Sequence, residues 1–165
     1  MHANSVVAFE QPLTSNQVTD ARRAANGPVS TQRDHADLPA DHFVERDGVV
    51  FAGTHLILDL WGAKHLDDIA RLEKALRDSV EAAGATLLHI HLHHFTPNGG
   101  VSGVAVLAES HISVHTWPER EFAAFDIFMC GVADPSKAIW VLKNAFHPKQ
   151  MNISEHLRGV VKDNG

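Results

Sequence analysis

One cysteine, no tyrosine and an aromatic content of 7% mark this 165-residue chain as sparing in the residues that often carry function. A lone cysteine excludes an internal disulfide framework and fits a reducing compartment. No apolar run is long enough to span a membrane. A basic surplus is missing too: Asp and Glu number 20 against 14 Lys and Arg, for a net charge of -6. Nucleic acid is therefore not the expected partner, because phosphate binding calls for a basic surface. The opening Met1-His2-Ala3-Asn4-Ser5 lacks a basic start followed by a continuous apolar segment. That points away from secretion and toward the cytoplasm.

What is present suits one packed domain with an extension. Residues 1–45 are rich in Ala, Asp, Asn, Ser, Thr and Gln without sustained periodicity. Such a segment buries too little apolar surface to offset its ordering entropy, so it reads as a mobile N-terminal extension. The domain proper is 46–165. Thr54 to Trp61 reads as a strand ended by Gly62. Ile69, Leu72, Leu76, Val80 and Ala83 then recur at helical spacing between charges such as Arg71, Lys74 and Arg77, with Gly84 as the residue after the helix.

Thr86 to Phe95 alternates, with Leu88, Ile90 and Leu92 expected on one face and His89, His91, His93 and Phe95 on the other. Pro97-Asn98-Gly99-Gly100 is a turn signal that makes Val101–Ala108 a hairpin partner. His111–Thr116 and Ala123–Cys130 are further strands. Asp134-Pro135 reads as the cap and first position of a second helix, buried through Ile139, Val141, Leu142, Ala145 and Phe146. A last strand follows near Met151–His156. This order predicts an α+β fold, an antiparallel-rich β-sheet with helices packed on one face. The opposite face carries histidines and serines and needs cover, which a second copy of the chain would provide as a two-layer sandwich.

The chemistry concentrates in Val101–Glu119, taken with Phe128-Met129-Cys130-Gly131. No metal, phosphate or dinucleotide signature fits this run. A self-cutting backbone does. The Ser110 hydroxyl attacks the carbonyl carbon of Glu109 if the backbone is held strained and the carbonyl is polarised. The resulting ester places a leaving group on the Ser110 β-carbon. A base then removes the Cα proton, and the dehydroalanine formed hydrolyses to a pyruvoyl group. That ketone forms a Schiff base with an amine substrate and accepts electrons as a carboxylate carbon departs, as pyridoxal phosphate does elsewhere.

His115, on a strand face with His111 and Ser113, suits the base. Ser102 lies on the hairpin partner, within reach of the reacting carbonyl. Cys130 carries a thiol, and thiols with an ordinary pKa of about 8.5 are mostly protonated at neutral pH. It could return a proton to the substrate carbon. Each has an ordinary reading as well. A serine beside a glutamate is usually inert, a strand histidine usually structural, and a single strand cysteine usually a small buried hydrophobe. Spacing alone leaves these open.

The strings Gly99-Gly100-Val101-Ser102-Gly103-Val104, Glu109-Ser110-His111-Ile112-Ser113-Val114-His115-Thr116-Trp117-Pro118-Glu119 and Ala123–Gly131 resemble the bacterial and archaeal S-adenosylmethionine decarboxylase proenzymes. The likeness covers roughly residues 50 to 160. It implies cleavage between Glu109 and Ser110 into pieces 1–109 and 110–165, with the pyruvoyl cofactor generated from Ser110. It implies His115 as processing base with Ser102 assisting, and Cys130 as proton donor in decarboxylation. Phe95 against the adenine and Glu119 on the ribose hydroxyls are the implied substrate contacts. An aromatic face suits a purine or sulfonium, and a carboxylate can accept two hydroxyl hydrogen bonds. The resemblance also implies a homodimer whose sites draw on both subunits, and a product that serves as aminopropyl donor for spermidine and other polyamines.

Three positions depart from the family pattern: Arg120-Glu121-Phe122 after the Trp-Pro-Glu turn, Ala63 where cysteine is frequent, and the Asn98-Gly99-Gly100 turn. They bear on substrate choice, since relatives with the same machinery decarboxylate ornithine or arginine. A second rival is a metal-binding module on His89, His91, His93 and His94, although no cysteine or carboxylate completes a shell there. A third is a homologue that never cuts, against which Ser102, Ser110 and His115 all stand.

Overall fold

The computed structural model describes residues 7–8 and 42–161. Its elements in chain order are β1 (Val7–Ala8), β2 (Val44–Arg46), β3 (Val49–Phe51), β4 (Gly53–Trp61), α1 (Ile69–Ala83), β5 (Leu87–His94), β6 (Val101–Leu107), β7 (Ser110–Trp117), β8 (Phe122–Cys130), α2 (Ser136–Phe146) and β9 (Gln150–Arg158). Six of these strands form one antiparallel sheet, β9-β4-β8-β7-β6-β5, with β1 on the outer edge of β9. β2 and β3 make a separate hairpin. Most of the extension expected over residues 1–45 (positions 1–6 and 9–41) lies outside the described residues.

Alternation builds the core. Leu56, Leu58 and Leu60 of β4, Ile112 and Val114 of β7, and Phe125, Ile127 and Met129 of β8 are buried on one face. Leu72, Leu76 and Val80 of α1 and Ala138, Leu142 and Phe146 of α2 cover them in a single cluster. Each fully buried Leu or Phe contributes about 1.5–3 kcal/mol relative to an exposed one. α1 starts where Asp68 Oδ1 accepts the Arg71 N–H at 3.0 Å, and it ends at Gly84 with φ 74°. The α+β expectation holds, with both helices on one face.

Three local expectations change. A β-bulge between Leu87 and His89 turns Leu87 to the core and leaves Leu88 64% exposed, so Leu88 does not share a face with Ile90 and Leu92. Ile69, at the first turn of α1, is exposed because the buried stripe begins at Leu72. In α2 Asp134 Oδ1 accepts from both the N–H and hydroxyl of Ser136, so the helix opens at Ser136, one residue after Pro135.

The helix-free face is different in character. It exposes Ile57, Trp61, Val106 and Trp117 among histidines, serines and carboxylates. Trp61, Phe122 and Trp117 stack in a row across it, with ring centroids 4.3 and 5.2 Å apart.

Candidate active site

The residues singled out by sequence collect at the two ends of β7. At one end, Leu107 pairs with Ser110 across the two-residue turn Ala108–Glu109. Glu109 has φ 58°, a left-handed backbone that costs a residue with a side chain about 1–2 kcal/mol. The strain falls on the residue whose carbonyl would be attacked. Ser110 is 8% exposed, and its Oγ accepts the Cys130 N–H at 3.1 Å. Burial raises the Cys130 thiol above its ordinary pKa, the Glu109 carboxylate raises it further, and a hydrogen bond with Ser110 partly offsets both. The thiol therefore keeps its proton more firmly than a free cysteine.

At the other end, Ser102 Oγ lies 2.8 Å from His115 Nδ1, on strands paired Ser102 to His115. Thr116, buried between them and the core, accepts the Val101 N–H and donates to the Leu66 carbonyl, both at 2.8 Å. That hydroxyl locks the starts of β6 and the α1 approach to the end of β7. Beside them opens a cleft of about 380 Å³ lined by Phe95, Asn98, Ser102, Trp117 and Glu119. Gly100 shapes its floor: a Cβ there would lie 2.8 Å from the Thr116 carbonyl oxygen.

The structure groups Ser110 with Cys130 and Glu109, and Ser102 with His115, Phe95 and Glu119. It does not bring the two groups together within one chain. Five strand steps separate Ser110 from His115, about 17 Å at the rise of an extended chain. An odd number of steps also turns their side chains to opposite faces. The spacing that suggested neighbours puts them at opposite ends.

Between the ends, the helix-free face carries a polar patch. Asp126 accepts from Ser113 Oγ at 3.2 Å and stands 3.4 Å from His55 Nε2. Burial, reinforced by Asp126, raises the Asp59 carboxyl; burial and the neighbouring His55 lower His111, with Asp126 opposing. Among the described residues no group of three His, Cys, Asp or Glu is arranged to hold a metal ion. His89, His91 and His93 are exposed on β5.

Two features escaped the sequence reading. Trp117 walls the cleft, which its place two residues after His115 could have signalled, since both then share a face. His42 Nε2 lies 3.1 Å from Glu109 Oε2, a contact no local pattern announces. The departures after the turn also find local causes. Glu121 is left-handed at φ 50° and pairs with Lys64, Phe122 joins the aromatic row, and Ala63 is 3% exposed where a small residue fits.

Residues 54–159 match the S-adenosylmethionine decarboxylase family. An S-adenosylmethionine decarboxylase proenzyme of Thermomicrobium roseum is 44% identical over 112 residues, covering 67% of this chain and 97% of that protein. Another, of Methanococcus aeolicus, is 48% identical over 110 residues, covering 65% of this chain and 93% of the relative. Among solved structures, the crystal structure of the adenosylmethionine decarboxylase from Aquifex aeolicus VF5 aligns with a TM-score of 0.60 at 34% identity, over 70% of this chain and 97% of that one. The chain accordingly belongs to the prokaryotic S-adenosylmethionine decarboxylase proenzymes, a pyruvoyl-dependent family.

Proposed function

We propose that this adenosylmethionine decarboxylase matures by cutting itself between Glu109 and Ser110, and that it acts as a homodimer with each site shared between two copies. The separation of Ser110 from His115 along β7 carries this reading. A two-fold relation stacking the helix-free faces, with its axis crossing β7 midway, sets the Ser102–His115 end of one copy over the Ser110–Cys130 end of the other, where Cys130, on that face, meets the edge residue Ser110. It also covers the exposed Ile57, Trp61 and Val106.

Maturation then runs as an acyl shift followed by elimination. Ser110 Oγ bonds to the Glu109 carbonyl carbon while the C–N bond breaks, and the hydroxyl proton goes to the nitrogen. The partner's His115, its ring set through Nδ1 by Ser102, removes the Ser110 Cα proton. The Cβ–O bond breaks, releasing the Glu109 carboxylate and leaving dehydroalanine. Tautomerisation and addition of water expel ammonia, and a pyruvoyl group heads fragment 110–165. The surroundings of Ser110 fit that group, for the Cys130 N–H already points at an oxygen there. Once formed, it supplies an electrophilic carbonyl that takes up the substrate amine and draws electrons as carbon dioxide leaves.

The chain's own side chains do the rest. Phe95 and Trp117 offer aromatic faces to adenine or the sulfonium, and Glu119 accepts the two ribose hydroxyls. The Cys130 thiol, held protonated by its surroundings, returns a proton to the substrate carbon. The decarboxylated product is an aminopropyl donor for polyamines. Intact mass of the freshly purified protein tests the cut: two pieces with breaks at 109/110, the second reacting with a carbonyl reagent, are expected. A single unbroken chain that releases carbon dioxide from S-adenosylmethionine would overturn it. Running ornithine and arginine beside S-adenosylmethionine checks substrate choice.

A further inference from the structure

We propose that His42 is a positioning residue for maturation: acting through Glu109, it holds the scissile turn in the shape from which Ser110 attacks. The inference rests on the reading that the chain cuts between Glu109 and Ser110. His42 makes a bridge from outside the sheet. Its Nε2 is 3.1 Å from Glu109 Oε2, and its carbonyl accepts the Gly131 N–H at 3.0 Å. One residue thus touches both the amino acid before the scissile bond and the amino acid after Cys130. Its ring also packs against Gly131, where a Cβ would stand 3.4 Å from Nδ1.

The turn it grips is the strained one. Glu109 sits at φ 58°, and a side chain in that region relaxes toward ordinary backbone unless something holds it. A carboxylate tethered at its far end limits that relaxation. Both partners are more than half exposed, at 57% and 55%, so the contact adds little to the stability of the fold. Its effect belongs in the rate at which the turn reaches the reactive geometry.

His42 also lies upstream of the region shared with the family, residues 54–159. The Thermomicrobium roseum relative is 97% covered by 112 aligned residues, which leaves almost none of its length for such a segment. Control of cutting by His42 is therefore a property of this chain's own N-terminal extension. His42 and Glu109 fall on the same side of the cut, so the tether stays within fragment 1–109.

The test follows cutting of full-length chain made by cell-free synthesis, by gel and intact mass over time. His42→Ala should slow the appearance of the two pieces by about tenfold. His42→Gln, whose amide can still donate to the carboxylate, should recover most of the rate. In a Glu109→Ala background His42→Ala should slow cutting no further. In an uncut Ser110→Ala background His42→Ala should leave the melting temperature unchanged. Wild-type cutting with His42→Ala cutting equally fast overturns the inference while the cleavage reading stands. Equal slowing with and without Glu109 also overturns it, because the effect then runs through the fold. A wild-type chain that never cuts removes both.

Discussion

At its start β7 carries Ser110, buried just after a two-residue turn and held by a main-chain N–H; near its end it carries His115, exposed and held by the side chain of Ser102 beside an open cleft. The first end is made mostly of backbone, with a left-handed Glu109, a strand-end amide and a thiol whose proton is firmly held. The second is made of side chains projecting from a rigid sheet. A reaction of the chain upon itself needs the first kind of setting, where strain and a fixed amide are already in place. A reaction that receives a small molecule needs the second, with room and adaptable polar groups. The distance between them keeps the candidate residues in two groups within one chain.

The largest expected effect comes from mixing two inactive proteins. Ser110→Ala and His115→Ala should each lose essentially all activity, the first as a single chain and the second stalled as an ester that hydroxylamine cleaves. Co-expressed, they should recover about one quarter of wild-type carbon dioxide release, since half of random dimers hold one intact site of two. No recovery would place both groups in one chain.

Next in size, Cys130→Ala separates the two jobs proposed for the buried end. It should still permit some cutting while turnover falls about 10²–10⁴-fold, the usual contribution of a placed proton donor. Full activity after that change would remove Cys130 from the mechanism. At the open end, Glu119→Gln should raise KM for S-adenosylmethionine about 10–100-fold and leave cutting untouched. A change in maturation instead would show that the cleft serves processing.

The smallest effect is on pH. Burial and the Glu109 carboxylate raise the Cys130 thiol, so the proton persists to higher pH than in a free thiol. The alkaline limb of kcat should lie correspondingly high. Removing the Glu109 charge makes the thiolate easier to form, so in matured Glu109→Gln protein that limb should move to lower pH. A limb that stays in place would detach Glu109 from the thiol.

Most of the sheet and both helices were legible in the chain because they follow from periodicity. Period-two patterns mark Leu56-Leu58-Leu60 and Phe125-Ile127-Met129, and helical spacing marks Leu72-Leu76-Val80. The misses have equally local causes. Leu88 was misplaced because a bulge adds one residue to a strand without leaving a mark in its alternation. His42 was invisible because its partner lies 67 positions away, and no spacing rule links an extension to a turn that far along.

Inward-facing residues, chain turns and the candidates for chemistry are readable along the chain, since these depend on side-chain type and near neighbours. Folding settled which of those groups meet. Register set Ser102 against His115 and the Cys130 amide against Ser110, and it drew His42 onto Glu109. Strand pairing is non-local: a run of alternating residues names its faces, but its partner and its offset are chosen by the packing of the whole sheet.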